Sequence, residues 1–393
     1  MVITWVTLCS ADLTQVKYGE NGLDSLANGY EKKFIDGVRP FREKKNFNIK
    51  AILDYCVGNN NVWSKIYSFT TMKNGENWSP RWALFGDLAT ISNGGRSHGW
   101  LIDGVNAKKY DIIFHIGDFA YNMDSSNGKV GDQFMREIEP IAAKVPYMVC
   151  VGNHEQRYNF SNYNNRFTMI NEADQSINNY FYSFNIGPAH IISFSTEFYY
   201  FTRYGQSQIM TQYQWLERDL IEANKPENRM KRPWIITFGH RPMICSNDNH
   251  DDSTNKNSRL RKGMPKTHLY GLENLFFKYG VDIEFWAHQH SYERLWPFYD
   301  FKVYNGSLKE PYKNPKAPVH IITGFAGHKW IDTFHNRKPE WSAFRTNDYG
   351  FTNMTILNKT HVYIGQYSVR KNETFDEIIV RKEFHGPYEK LSK

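Results

Sequence analysis

Seven short, strongly apolar segments recur along the chain from residue 81 onward and constrain its fold more than any other feature. They are RWALFGD, YDIIFHIGD, VPYMVCVGN, AHIISFSTE, RPWIITFGH, VDIEFWAHQH and PVHIITG. Helical patterns lie between several of them, at 131–144 and 211–225. Strands that are apolar along their whole length are buried on both faces, and in layered folds such strands alternate with helices. The sequence therefore predicts an α/β domain.

The first 73 residues have a different pattern. Short alternating runs such as TQVKYG, IKAILD and WSKIYSFTT are separated by turn residues, such as Asn-Gly at 21–22 and 28–29, and no long helical period appears. This pattern is typical of a small β-sandwich. We therefore predict an all-β domain over residues 1–73 and the α/β domain over 80–393, the latter ending in antiparallel strands. Because MVITWVT at the start reads as a strand already under way, we expect an N-terminally truncated chain that has lost its signal peptide.

Composition bears on partners and location. The chain has 48 basic and 41 acidic residues, and its net charge of +7 is spread without a Lys/Arg block, which argues against nucleic-acid binding. No apolar run approaches the roughly 18 residues that a membrane span needs. Six N-x-S/T sequons favour the secretory pathway and a glycoprotein. They begin at Asn77, Asn159, Asn305, Asn353, Asn358 and Asn372.

Five of the apolar segments end in polar side chains of the kinds that bind metal ions. Residues that follow the strands lie at the carboxyl edge of an α/β sheet, where such folds place their sites. We therefore expect these groups to converge on one centre. The seven candidate metal ligands are Asp87, Asp118, Tyr121, Asn153, His240, His288 and His290.

The size of this set indicates two ions and not one. Seven candidates exceed the four ligands of a tetrahedral zinc, but they suit two ions that share a bridging carboxylate. His288 and His290 are two residues apart, so they project to the same side of an extended segment. Two ions about 3.5–4 Å apart can orient a nucleophilic hydroxide and neutralise phosphate charge. The sequence therefore predicts a binuclear site that cleaves phosphate esters.

Each motif taken alone has an ordinary structural explanation. A Gly-Asp at the end of a strand often caps a helix or closes a turn, and Asp87 could do only that. A lone His240 would more often be packed or exposed than a ligand, and Tyr121 alone would be a core residue. However, GD, GDxxY, GNHE, GH and HxH occur in this order, each after an apolar strand. That combination favours a shared cause.

These motifs resemble the metallophosphoesterase superfamily. Within it, GDFAY resembles the purple acid phosphatases, in the long, plant-like form also found in animals, and GHRPMICSN, AHQHSYER and VHIITGFAGH are similar to animal members. The resemblance implies a four-layer α/β/β/α sandwich preceded by a fibronectin-type-III-like β-sandwich that lacks its first strand. It also implies an acid phosphatase, secreted or lysosomal, that acts on small phosphorylated substrates, and it is compatible with a homodimer.

The resemblance further assigns roles to the candidate residues. A ferric ion would be held by Asp87, Tyr121 and His290, a divalent Fe, Zn or Mn ion by Asn153, His240 and His288, and both by Asp118. Ligation of ferric iron by the tyrosine is what makes such proteins purple. A hydroxide activated at this Fe(III)–M(II) centre would attack phosphorus directly. His154 would contact the substrate phosphate. His250 is a second candidate for that contact, and a solvated loop histidine is the alternative.

Two other functions stay open on the sequence alone. The same metal pair would serve a phosphodiesterase or a pyrophosphatase, because substrate choice depends on the loops around the site. A non-catalytic secreted binding protein on a phosphatase scaffold would be indicated by a missing ligand, but all seven positions are filled.

Three positions depart from the pattern of the family. Ala89 and Ala287 stand where the family usually has glycine, which matters only if the backbone there needs a positive φ. Ser253 stands where animal relatives often carry a cysteine, so Cys245 lacks its expected partner.

Overall fold

The computed structural model describes residues 2–5, 14–20, 22–29, 34–36, 39–41, 45–46, 52–59 and 62–391. The strands before residue 71 are β1 (Val2–Ile3), β2 (Gln15–Gly19), β3 (Ser25–Asn28), β4 (Phe34–Asp36), β5 (Arg39–Phe41), β6 (Lys45–Asn46), β7 (Ile52–Asn59), β8 (Val62–Trp63) and β9 (Tyr67–Thr70). Five of them, β2, β3, β7, β8 and β9, form one antiparallel sheet. The predicted all-β character is confirmed, whereas residues 6–7 of the predicted first strand lie outside the described residues.

The rest of the chain alternates strands and helices. Its strands are β10 (Arg81–Phe85), β11 (Leu88–Ala89), β12 (Ile112–Ile116), β13 (Phe119–Ala120), β14 (Tyr147–Cys150), β15 (Tyr182–Ile186), β16 (Ala189–Ser193), β17 (Trp234–Phe238), β18 (Ile283–Trp286), β19 (Tyr292–Leu295), β20 (Phe298–Tyr299), β21 (Lys302–Val303), β22 (Val319–Thr323), β23 (Ser342–Thr346), β24 (Gly350–Ile356), β25 (His361–Ser368) and β26 (Glu373–Arg381). The α-helices are α1 (His98–Asn106), α2 (Lys129–Ala142), α3 (Arg157–Arg166), α4 (Ser207–Ala223), α5 (Pro226–Lys231), α6 (Arg259–Lys262), α7 (Leu272–Lys278) and α8 (Tyr388–Leu391).

Two mixed sheets form the centre of this part. The six-stranded sheet has the order β14-β12-β10-β24-β25-β26, and the seven-stranded sheet has the order β15-β16-β17-β18-β22-β19-β23. In the first, β10, β12 and β14 run parallel, and in the second β16, β17, β18 and β22 do so. The strands β24, β25 and β26 are antiparallel neighbours. The antiparallel strands predicted near the end of the chain are therefore confirmed.

The two sheets pack face to face, with helices on the outer faces. Phe114 on β12 meets Phe238 on β17 at a ring-centroid distance of 4.9 Å. His115, the next residue, faces the other way and meets Phe134 of α2 at 5.9 Å, because successive side chains of a strand alternate. On the outer face of the second sheet, Phe194 after β16 meets Phe276 of α7 at 5.4 Å. The predicted α/β/β/α layering is thus found.

The all-β region contacts the end of α2. The Tyr55 hydroxyl donates to the carbonyl oxygen of Ala143 at 3.0 Å, and the Tyr67 hydroxyl donates to Glu139 Oε1 at 2.6 Å. Lys65 Nζ lies 2.9 Å from the same carboxylate oxygen. In the part of the chain that the structure describes, no helix is long and apolar enough to cross a membrane.

Candidate metal centre

The backbone that follows β10, β12, β13 and β18 has an unusual conformation. Asp87, Asp118, Tyr121 and His288 have φ values of 60°, 57°, 50° and 68°. Non-glycine residues rarely adopt positive φ, and such strain clusters at functional sites, where the surrounding structure enforces it. Four of the seven predicted ligands therefore lie on tightly turned backbone immediately after a buried strand.

Three of the predicted ligands form the first cluster. The Tyr121 hydroxyl donates to Asp87 Oδ1 at 3.0 Å and lies 2.8 Å from His290 Nε2. His290 Nε2 is in turn 3.5 Å from Asp87 Oδ1. One phenol oxygen, one carboxylate oxygen and one imidazole nitrogen therefore converge on a single point. The structure thus brings together the three residues that the resemblance assigns to the ferric ion.

The remaining predicted ligands form a second cluster. His240 Nε2 lies 3.2 Å from Asn153 Oδ1 and 3.3 Å from Asp118 Oδ1. Asp118, His240 and His288 each offer one ligand atom, and these atoms lie within 4.8 Å of one another. A direct hydrogen bond joins the clusters, since the backbone N–H of His288 donates to Asp87 Oδ2 at 2.8 Å.

The electrostatics of the clusters fit bound cations. Asp87 and Asp118 are 0% and 1% exposed, and a buried carboxylate needs a positive partner. Burial lowers the pKa of His240, but the charge and hydrogen bond of Asp118, together with the charges of Asp87 and Glu197, outweigh burial and raise it to about 10. Burial first, and then the Asp87 and Asp118 charges, raise the pKa of Tyr121 well above its usual value. Only a strongly acidic cation would hold this phenol as a phenolate.

Two acidic residues that sequence reasoning missed, the buried Glu155 and the half-buried Asp332, position the predicted ligands. Glu155 accepts hydrogen bonds from the backbone N–H groups of Asp118, Phe119 and Gly152, each at 2.9 Å. Asp332 Oδ2 accepts the backbone N–H of His290 at 2.6 Å. Glu155 could have been found from the GNHE motif, where it follows a predicted ligand by two residues.

The two histidines predicted to contact phosphate differ in their surroundings. His154 lies against the site, because its backbone N–H donates to Asp118 Oδ1 at 2.9 Å and its ring centroid is 4.5 Å from that of Tyr121. Its Nδ1 is 2.6 Å from Asn122 Oδ1. His250 is exposed, with a φ of 58°, and its role stays a prediction.

The positions that depart from the family pattern are accommodated simply. Among the described residues, those with positive φ do not include Ala89 or Ala287, so neither position requires glycine for its backbone conformation. Cys245 Sγ lies 3.3 Å from Ser253 Oγ. The serine therefore takes the place next to Cys245 that a cysteine would occupy.

Comparison with known proteins identifies the family. Residues 81–292, which span the strands and loops that carry the candidate ligands, match the family model of the calcineurin-like phosphoesterases. The chain belongs to this family. A second family model, the iron/zinc purple acid phosphatase-like protein C, matches residues 317–377.

The relatives of this phosphoesterase point to the purple acid phosphatases. It is 50% identical over 379 residues to acid phosphatase type 7 of Mus musculus, covering 94% of this chain and 84% of the relative. It is 46% identical over 402 residues to acid phosphatase type 7 of Danio rerio, covering 98% and 89%. The solved purple acid phosphatase PPD1 from yellow lupin seeds shares the fold, with a TM-score of 0.77 at 21% identity, over 98% of this chain and 72% of that one. The predicted resemblance is confirmed.

Proposed function

We propose that this phosphoesterase is an acid phosphatase that hydrolyses phosphate monoesters at a binuclear metal centre. The observation that carries the proposal is the position of Asp118. This buried carboxylate has one oxygen 3.3 Å from His240 Nε2 in the second cluster. The charge of Asp118 also raises the pKa of Tyr121, which belongs to the first cluster. A carboxylate placed between two sets of ligands is suited to bridging two ions.

The donor set suggests which ion each cluster would hold. A phenol beside a carboxylate and an imidazole favours a hard, strongly acidic cation, so we assign Fe(III) to Asp87, Tyr121 and His290. An amide oxygen with two imidazoles suits a divalent Fe, Zn or Mn ion. When bound, the two ions would supply the acidity that makes a water nucleophilic and the positive charge that attracts the phosphate.

The protein's own groups would orient and protonate the substrate. Asn122 Oδ1 accepts the Nδ1–H of His154 at 2.6 Å. In the imidazolium form of the ring the second proton is therefore on Nε2, from which it can be donated. Nε2 lies 3.8 Å from Asp118 Oδ2, and the His154 side chain is 35% exposed, so an entering phosphate can reach it. A proton donated from this position would stabilise charge on the phosphate oxygens or on the leaving group.

The test compares wild type with Asp118→Asn in the hydrolysis of p-nitrophenyl phosphate between about pH 4 and 8. We expect turnover with an acidic optimum in wild type. We expect its loss in the variant, because a neutral amide cannot bridge two cations. Bis(p-nitrophenyl) phosphate is the matched substrate. A metal-loaded wild type that cleaves only the diester would favour the phosphodiesterase, and one that cleaves neither would favour a binding role.

We further propose a secreted or lysosomal location, in keeping with the acidic optimum. Four of the sequon asparagines, Asn77, Asn159, Asn358 and Asn372, are exposed and are therefore accessible to N-glycosylation. A drop in apparent mass on enzymatic removal of N-glycans, from protein made in eukaryotic cells, would support this route. An unchanged mass would count against it. The homodimer stays a prediction, and so does the boundary between the all-β and α/β domains at residues 73–80.

A further inference from the structure

His288 presents one engaged nitrogen and one unengaged nitrogen. Its Nε2 lies 2.8 Å from Arg241 Nη1 and 3.3 Å from Asp251 Oδ2. Its Nδ1 is buried and has no hydrogen-bond partner in the described part of the chain. Because Nε2 is occupied by these two side chains, Nδ1 is the atom left to bind an ion together with Asp118 and His240.

The two partners of Nε2 require different forms of the ring. A neutral imidazole carries one proton. If the proton is on Nδ1, Nε2 accepts from Arg241 and Nδ1 has no lone pair for a metal. If the proton is on Nε2, it is donated to Asp251, and the lone pair of Nδ1 is free. Histidines that bind metals almost always donate their other N–H, often to a carboxylate, and this contact fixes the tautomer.

We propose that Asp251 is a positioning residue for the second metal ion, because its carboxylate accepts the Nε2–H of His288 and so keeps Nδ1 as an unprotonated ligand. This inference deepens the proposed binuclear site and rests on it. Within this loop, the role is assigned to Asp251, which follows the exposed His250.

Asp251 is held in place for this task. Ser253 Oγ donates to Asp251 Oδ2 at 2.9 Å, and Arg241 Nη1 donates to Asp251 Oδ1 at 3.2 Å. The guanidinium is fixed from its other side, since Arg241 Nε lies 3.1 Å from Oε2 of the fully buried Glu197. The acceptor for His288 is therefore one end of a chain of charge-assisted hydrogen bonds, and it needs little ordering when an ion binds.

The experiment measures zinc affinity in the full-length protein carrying ferric iron, by chelator competition and elemental analysis. In Asp251→Ala we expect the zinc dissociation constant to rise about 10- to 100-fold. We expect the iron content and the visible charge-transfer band to be unchanged, because Tyr121 and His290 belong to the other cluster. Asp252→Ala is the matched control. That neighbouring carboxylate bonds to the Tyr200 hydroxyl at 2.9 Å and to the Arg259 N–H at 2.8 Å.

The outcomes separate this inference from the proposed function. A wild type that holds iron and zinc, with Asp251→Ala binding zinc equally well, would overturn the role of Asp251 and leave the binuclear site intact. The role of Asp251 would also be overturned if Asp252→Ala weakened zinc binding as much as Asp251→Ala does. A wild type that holds a single ion would overturn both. Should Asp251→Ala fail to fold, Asp251→Asn decides. It keeps an acceptor oxygen without the charge, so it should bind zinc more weakly than wild type does, and wild-type affinity would refute the inference.

Discussion

Glu155 shows how a single buried residue organises several others. Its side chain gathers three backbone N–H groups from two separate loops, those of Asp118, Phe119 and Gly152. Both loops carry predicted metal ligands, because Asp118 follows β12 and Asn153 follows Gly152. A carboxylate accepts at both oxygens, so no other side chain of the same size satisfies all three donors.

We expect Glu155→Gln to lose metal and activity, because the amide NH₂ would face N–H donors and one loop would move. Loss of such a supporting contact typically costs about 10- to 100-fold in metal affinity or activity. Elemental analysis and p-nitrophenyl phosphate turnover measure the effect. Glu172→Gln is the control, because Glu172 is exposed and also accepts a backbone N–H, that of Asn185, at 2.7 Å. Equal effects in the two variants would contradict the role given to Glu155.

At this scale the sequence identifies the candidate ligands but not the residues that support them. Asp87 and His290 could be predicted because each follows an apolar strand and has a metal-binding side chain. Asp332 could not be, because it acts on His290 from 42 residues away through a backbone bond. In the NDNHDDST loop the sequence singles out His250, because it is the one histidine there, whereas Asp251 is one of three aspartates and nothing in the pattern distinguishes it.

At the scale of elements, glycine lets the loops approach one another. Gly152 is followed by Asn153, and a Cβ added to Gly152 would lie 2.4 Å from Asp118 Oδ1. A Cβ added to Gly117 would lie 2.4 Å from His240 Nδ1, at a residue with a φ of 91°. Both distances are shorter than van der Waals contact. The loops after β12, β14 and β17 can therefore bring their predicted ligands together only because these positions carry no side chain.

Gly152→Ala should disrupt the second cluster, because the added methyl group displaces the Asp118 carboxylate. We expect loss of the divalent ion and of most of the turnover, with the fold retained by circular dichroism. Gly99→Ala is the matched control. Gly99 lies in α1 with open space around it, and alanine favours a helix by about 1 kcal/mol over glycine. Wild-type metal content in Gly152→Ala would contradict the close approach described here.

Element positions follow from the sequence better than element ends. The helices predicted at 131–144 and 211–225 are found at Lys129–Ala142 and Ser207–Ala223. The second begins four residues before the predicted start, and its N-cap, Gln206, makes no side-chain capping bond. The first begins after Gly128, whose φ is 78°. Neither start carries the Ser, Thr, Asp or Asn capping signal that would mark it in a sequence.

On the scale of the whole molecule, a buried cluster of charges attaches the end of the chain to the second sheet. Asp282, at the start of β18, forms ion pairs with Lys382, after β26, and with Arg229 of α5. It also accepts the backbone N–H of Ile235 on β17 at 2.8 Å. Burial raises the pKa of Asp282, but the charges of Lys382 and Arg229 outweigh burial and hold it below its usual range. The carboxylate therefore stays ionised in mild acid.

We expect Asp282→Asn to lower the free energy of unfolding by about 3–5 kcal/mol, because it leaves two buried cations unpaired. A carboxyl group with a depressed pKa stabilises the fold above its unfolded pKa of about 3.9, and that stability is lost as pH falls through the lower, folded value. In chemical denaturation, the difference in unfolding free energy between wild type and Asp282→Asn should therefore be constant between about pH 5 and 8. It should be smaller below about pH 3. Glu222→Gln, which removes a solvent-exposed ion pair with Lys225, should change little. A difference that grows on acidification would contradict the ionised state of Asp282.

The most direct test of the central claim is the metal content and visible spectrum of the purified full-length protein, with Tyr121→Phe as its partner. We predict two metal ions per chain in wild type, and a visible charge-transfer band that Tyr121→Phe abolishes without unfolding the protein. The variant keeps the ring and loses only the hydroxyl that lies 3.0 Å from Asp87 Oδ1 and 2.8 Å from His290 Nε2. A colourless wild type with one ion or none, or a band that persists in Tyr121→Phe, would contradict the binuclear centre.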